Sequence, residues 1–140
     1  MYEFIQKFHS GWAYLALLLL VLAVLNSALG FFSKRNFTAK DKKIALYALI
    51  VTHIQLTVGL VLYFLSPLGL SAFGDMKNAA LRLTSLEHPL TNIIAIVLIT
   101  IGWSKHKKAL EGKKKFKAIT IFYGLGLLLI LSRIPWSLWF

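Results

Sequence analysis

Four long apolar runs constrain this chain more than any other feature. The first covers about residues 11–32 and contains the unbroken block Leu15 to Leu25. The second covers about 44–65 and is interrupted only by Thr52, His53, Gln55 and Thr57. A third lies at about 87–104 and a fourth at about 116–139, with Arg133 near its far end. A bilayer core of roughly 30 Å needs about 20 mostly apolar residues at 1.5 Å each, so every run qualifies as a span. Backbone groups in lipid must be satisfied within the segment, which makes helices the expected form. Hydrophobic residues are 58% of the chain and the mean hydropathy is +0.71. That is more apolar material than a soluble domain of this size can cover with polar surface. The expected fold is all-α: one four-span transmembrane domain over residues 1–140, an up-down-up-down bundle.

The first run is longer than the roughly 7–15 residues of a signal-peptide core. Only Glu3 and Lys7 supply charge before it, and Asn26-Ser27-Ala28 is a poor cleavage site. It is therefore read as a retained span.

The net charge of +11 could suggest nucleic acid, but its distribution argues for topology instead. Lys34, Arg35, Lys40, Lys42 and Lys43 fill the link between spans one and two. Lys105, Lys107, Lys108, Lys113, Lys114, Lys115 and Lys117 fill the link between spans three and four. Both links fall on one side of a four-span protein, as the positive-inside rule requires. This places both termini outside, with anionic lipid of the cytoplasmic leaflet as the partner of the lysines and no nucleic-acid role. Tyr2, Phe4, Phe8, Trp12 and Tyr14 at the outer end of span one, Trp136, Trp139 and Phe140 at the outer end of span four, and Trp103 at the inner end of span three suit aromatic belts.

Among the links, Thr38 to Asp41 resembles a helix start with Thr38 capping. Gly112 amid lysines is expected in a solvated turn. The outer link, 66–87, is long for a hairpin of spans. Pro67, Gly69 and Gly74 break it, Met76 to Leu83 could form a short surface helix, and His88 with Pro89 would open span three. Such a link either covers a bound group or simply connects.

Chemistry falls to a few residues. Cysteine is absent, which excludes disulfides, thiolate ligands and covalent haem attachment through Cys-x-x-Cys-His. Paired catalytic carboxylates, nucleophile motifs, phosphate loops and zinc-helix motifs are also missing, which favours an electron carrier over a stand-alone enzyme. Ionisable residues within spans are functional candidates by default. Here they are His9, His53, His88, His106, Glu87 and Arg133.

His9 and His88 lie at the outer ends of spans one and three, which run the same way in an up-down-up-down bundle. Two imidazoles from facing helices, one on each side of a porphyrin, are what bis-histidine haem ligation needs. Counted from the inner lysines, His9 is 25 residues from Lys34 and His88 is 17 from Lys105, a mismatch of roughly 12 Å. Counted from the outer ends the two are level, and that count is preferred because inner helix ends can run past the membrane.

The alternative for each is an interfacial histidine, or a capping one for His88. His53 is a rival ligand at mid-span, or else a buried histidine bonded to a neighbouring helix. Gln55 nearby points to another face from His53 and is itself a candidate cofactor contact. His106, among lysines, is expected to be solvated. Lys77, Arg82 and Arg133 share the outer side and suit haem propionates, although Arg133 could simply snorkel. Gly59, Gly102, Gly124 and Gly126 allow close helix packing or room for a flat ring.

The run His9-Ser10-Gly11 before a leucine-rich span resembles small bacterial four-helix membrane proteins described as cytochrome b-like. So do, in order, Gln55 to Phe64 (QLTVGLVLYF), Met76-Lys77, Arg82, Glu87-His88-Pro89 and Ile134-Pro135-Trp136. The resemblance covers nearly the whole chain. It implies non-covalent haem b and electron transfer, with His9 and His88 at the matching histidine positions. His53 ranks below them, because an acidic residue takes its place in the wider group. A respiratory complex, a membrane quinol and a second copy of the chain are the expected partners. The competing expectation is an accessory or assembly subunit of a respiratory complex without its own redox group.

Overall fold

The computed structural model describes residues 1–139; Phe140, expected among the aromatic belts, lies outside the described residues. Six α-helices follow one another: α1 Tyr2–Phe32, α2 Ala39–Leu65, α3 Ala79–Arg82, α4 His88–Lys108, α5 Gly112–Ser132 and α6 Trp136–Trp139. A 3₁₀ turn, Leu70–Ala72, lies in the 66–78 link. No strand occurs among the described residues. Helix α3 runs into α4 through a π-turn at Leu83–Glu87, so Ala79–Lys108 forms one rod. That rod, α1, α2 and α5 are all long and apolar enough to cross a membrane. Leu18, Leu22, Leu25 and Leu29 make an exposed stripe along α1 at helical spacing. Lipid, not water, suits such a stripe. The chain is a multi-pass membrane protein.

Each helix boundary has a chemical cause. Thr38 caps α2 as expected: its Oγ1 accepts from Asp41 N (3.5 Å), and Asp41 Oδ2 accepts from Thr38 N (2.8 Å). This capping box starts α2 at Ala39, earlier than the expected 44. Helix α1 likewise begins well before residue 11, at Tyr2.

The third span needs the largest correction, from 87–104 to Ala79–Lys108. Asn78 caps it, its Oδ1 accepting from Ala80 N and Leu81 N. The segment Met76 to Leu83 is therefore no separate surface helix, and the link shrinks from 66–87 to 66–78. His88 and Pro89 lie inside the rod instead of at its start. Proline inside a helix lacks an N–H and crowds the carbonyl four residues back, and the π-turn lies just before it. The hydroxyls of Ser85 and Thr84 donate to Leu81 O (2.6 and 3.3 Å), covering a carbonyl where the backbone ladder changes pitch.

Span four also needs correction, because α5 stops at Ser132 instead of running to 139. Arg133 leaves helical geometry two residues before Pro135, and Trp136–Trp139 forms a separate turn. At its other end α5 starts at Gly112, which lies in the helix and against Phe37 rather than in a solvated turn.

The four rods close into a ring. Helix α1 packs on α2 and α5, and α4 packs on the same two. Tyr2 meets Ser66, Trp12 reaches Val51 and Asn26 reaches Asp41, so α1 and α2 run in opposite directions. A ring leaves α1 and α4 facing each other across the middle. The half nearer the lysine-rich links is tightly filled by Leu20, Ala23, Ala45, Ala48, Ile99, Ile119 and Tyr123. A Cβ at Gly126 would stand 2.8 Å from Ile99, so glycine there lets α5 lie directly on α4. In lipid no hydrophobic drive holds helices together, and such contacts plus hydrogen bonds must do so.

Candidate functional site

At the opposite end of the bundle, which carries both termini and the 66–78 link, the rods do not fill the space between them. A partly enclosed cavity of about 230 Å³ lies there. Leu17, Leu20, Leu56, Ile96 and Ile130 line it with apolar surface. Its polar lining comes from Gln6, His9, Ser10, Gln55, His88 and Asn92, with Tyr2, Tyr63, Ser66 and Thr84 also on its wall.

His9 on α1 and His88 on α4 lie on the two helices that face each other diagonally. Their ring centroids are 6.4 Å apart and their planes stand at 82°. Two imidazoles on opposite sides of one metal, with bonds of about 2 Å and ring centres roughly 1.1 Å behind each nitrogen, would have centroids about 6.3 Å apart. The expected depth mismatch shrinks once helix ends replace lysines as the reference. His9 is 23 residues from Phe32, the end of α1, and His88 is 20 from Lys108, the end of α4. The difference of three residues is roughly 4.5 Å.

The two rings are held differently. His88 Nδ1 lies 2.9 Å from the Arg133 carbonyl. A carbonyl only accepts, so Nδ1 carries the proton; the Nε2 lone pair then has the Asn92 amide 3.3 Å away as a donor, which a ligand at Nε2 would displace. That carbonyl is available because α5 ends at Ser132. Asn92, one turn after His88, donates to His88 O at 2.7 Å, and its amide nitrogen stands 3.0 Å from Nδ1 and 3.3 Å from Nε2. His9 is fixed through its backbone: Gln55 Nε2 donates to His9 O at 2.8 Å. Its own Nδ1 is buried with no hydrogen-bond partner, as is Gln55 Oε1. Gly59 faces the His9 ring, where a Cβ would come within 3.0 Å of Cε1.

Gln55 thus joins the pair, but several other expected residues do not. His53 is exposed on α2, its Nδ1 2.7 Å from Leu49 O and its Nε2 3.3 Å from Thr100 Oγ1, and it does not line the cavity. It is exposed rather than buried, but it does bond a neighbouring helix, through Thr100 of α4. Lys77 is exposed on the link. Arg82 is held locally by Glu87 Oε2 (3.3 Å) and by Met76 O (3.1 Å). The Arg133 guanidinium turns back to Ser132 O at 2.9 Å. None of these three cations lines the cavity. His106 is corrected most sharply: it is 1% exposed, not solvated. Its Nδ1 lies 2.6 Å from Trp103 O, and its ring sits between Trp103 and Phe37.

Two contributors were missed. Asn92 is an isolated amide one turn after His88 in an apolar stretch, and that spacing was the available signal. The Arg133 carbonyl had only Pro135 to announce it. Among the glycines, Gly59 makes room for a ring, Gly102 and Gly126 admit close helix contact, and Gly124 meets only Val24 at 3.9 Å.

No family model, curated protein or solved structure matches this chain. Among the described residues, no group of three or more His, Cys, Asp and Glu side chains is placed to hold a metal ion. A tetrapyrrole supplies four nitrogens itself and asks the protein for only two axial ligands. The two imidazoles, their separation and the proton on His88 Nδ1 fit that requirement. A whole porphyrin exceeds the enclosed volume, so its edge would extend through the open side of the cavity.

Proposed function

We propose that this chain is a membrane-embedded haem b-binding electron-transfer protein of the cytochrome b-like kind, in which His9 and His88 would hold the iron. The observation that carries the reading is the 6.4 Å separation of two imidazoles from diagonally opposed helices at the edge of an apolar cavity. Haem b, when bound, supplies one-electron chemistry at its iron.

The chain's own residues do the rest. His88, protonated at Nδ1 by its bond to the Arg133 carbonyl, offers Nε2. Gln55 holds the α1 backbone at His9. Leu17, Leu20, Leu56, Ile96 and Ile130 keep water from the ring. Tyr2, Gln6, Ser66 and Thr84 offer neutral hydrogen-bonding groups on the same wall. Arg82, Lys77 and Arg133 would act on the propionates only after side-chain rotation.

The lysine-rich links support a cytoplasmic position for the opposite end of the bundle. The rods then run up-down-up-down with both termini outside, in a bacterial inner membrane, and the haem sits near the outer face. A membrane quinol is the natural electron donor for a carrier so placed.

Purified full-length protein from haem-replete cells should show a Soret band and, after dithionite, a sharp α-band. A folded, colourless preparation that also takes up no added hemin would defeat the reading.

One observation favours a second reading, an accessory subunit of a respiratory complex. His53, Thr57 and Thr100 place polar groups on an exposed face midway along α2 and α4. Polar side chains at such depth normally meet another helix. Co-purification with an oxidase or reductase, with spectra unchanged by His9→Ala and His88→Ala, would favour it.

A further inference from the structure

We propose that the two imidazoles are inequivalent ligands: His88 is the anchored one and His9 the exchangeable one, so a small neutral diatomic molecule takes the position on the His9 side. This rests on the haem reading above and goes beyond electron transfer, because it gives the site a ligand-binding function.

The argument begins with what orients each ring. A metal-bound histidine is fixed by what its other nitrogen donates to, and losing that partner typically costs about 10–100-fold in metal affinity. His88 has such a partner in the Arg133 carbonyl at 2.9 Å. Its backbone carbonyl also accepts from Asn92 at 2.7 Å. The π-turn at Leu83–Glu87 leads directly into His88, and Ser85 ties that turn to Leu81 O at 2.6 Å. Side chain and backbone are both constrained.

His9 has the opposite arrangement. Gln55 grips its backbone carbonyl, but no protein acceptor reaches its Nδ1. Gly59 packs closely on the ring's Cε1 edge, but by van der Waals contact alone. A ring with no hydrogen bond of its own loses little beyond the metal bond on rotating about its side-chain torsions, and the cavity beside it is partly open. Exchange breaks one iron–nitrogen bond on the His9 side and forms one bond to the incoming molecule, with no electron or proton transferred. His88 stays in place throughout.

Carbon monoxide is the probe, added to the dithionite-reduced, haem-loaded full chain. The wild type is expected to give a carbon monoxide difference spectrum. Competition from His9 lowers apparent affinity by the fraction of time the position is free. His9→Ala should therefore lower the half-saturating concentration by about tenfold or more and leave the final spectrum unchanged. His88→Ala should instead lose most of its haem during purification, and Asn92→Ala should retain less haem than wild type.

Should His9→Ala fail to fold, Gln55→Leu keeps both imidazoles while releasing the His9 carbonyl, and it too should tighten carbon monoxide binding. Nitrogen-15 NMR of His88 in haem-free protein should show the proton on Nδ1, a readout that needs no haem. A haem-loaded wild type whose spectrum is inert to saturating carbon monoxide would overturn this inference and leave the haem reading standing. So would a His88→Ala protein that keeps its haem and gives the wild-type carbon monoxide spectrum. A chain that takes up no haem would defeat both.

Discussion

At the lysine-rich end of the bundle, Asp41 is 4% exposed, and both of its carboxylate oxygens are in use. Oδ1 accepts from Asn26 (2.9 Å) and Arg35 (3.1 Å), and Oδ2 accepts from the backbone and hydroxyl of Thr38. Arg35 also lies over the Phe116 ring. Tyr123, wholly buried, donates across the bundle to Ala45 O at 2.9 Å. At the terminal end, by contrast, His9 Nδ1 and Gln55 Oε1 are buried and unpartnered beside a cavity. An unpaired buried polar group costs about 1–3 kcal/mol, so the two ends show a division of labour. One end supplies the stability that the other gives up to hold a site.

The sharpest way to break this contrast is to fill the cavity. Gly59→Leu should push the His9 ring from its position and reduce haem retention by about a hundredfold, read by haem titration, while the helical circular-dichroism signal persists. Wild-type retention in that variant would mean His9 is no ligand. Next in size, Asp41→Ala should cost roughly 2–3 kcal/mol in detergent unfolding, through a lost cap and released donors, with haem content per folded molecule unchanged. If haem is lost in proportion to the stability change at every site, the two ends are not independent.

Tyr123→Phe removes one interhelical hydrogen bond and should cost about 0.6–1 kcal/mol, checked by the same unfolding curve. Smallest of all, Lys34 has φ of 57°, the left-handed conformation natural to glycine after a helix. Lys34→Gly should stabilise by up to about 1 kcal/mol and leave the terminal end untouched.

Much of this contrast could be read from the chain beforehand. Apolar length located four rods because the bilayer sets a ruler, and Thr38 with Asp41 announced a helix start because a capping box is local chemistry. His9 and His88 were paired correctly by counting from the ends nearest them. The ruler misled where local breaks override length: Pro135 ends α5 at Ser132 although apolar residues continue, and Asn78 starts the third rod well before its apolar part. His106 was misread because sequence neighbours say nothing of azimuth. Its lysine companions face outward while the ring turns in against Trp103 and Phe37. The cations Lys77, Arg82 and Arg133 were grouped by side of membrane, a coarser property than direction. Glu87 lies five residues after Arg82 and holds it locally.

The π-turn at Leu83–Glu87 sets an azimuth as well as a pitch. A π-turn spreads its backbone bonds over one residue more than an α-turn does. Were the same five residues to wind as plain α-helix, at about 100° each instead of the roughly 82° of a π-turn, everything after them would be re-phased by about 90° relative to the cap. His88 would then swing away from His9 to a different quadrant of the bundle. Deleting one residue such as Thr84 would instead let four α-helical residues cover nearly the angle that five cover now, and His88 would keep its azimuth.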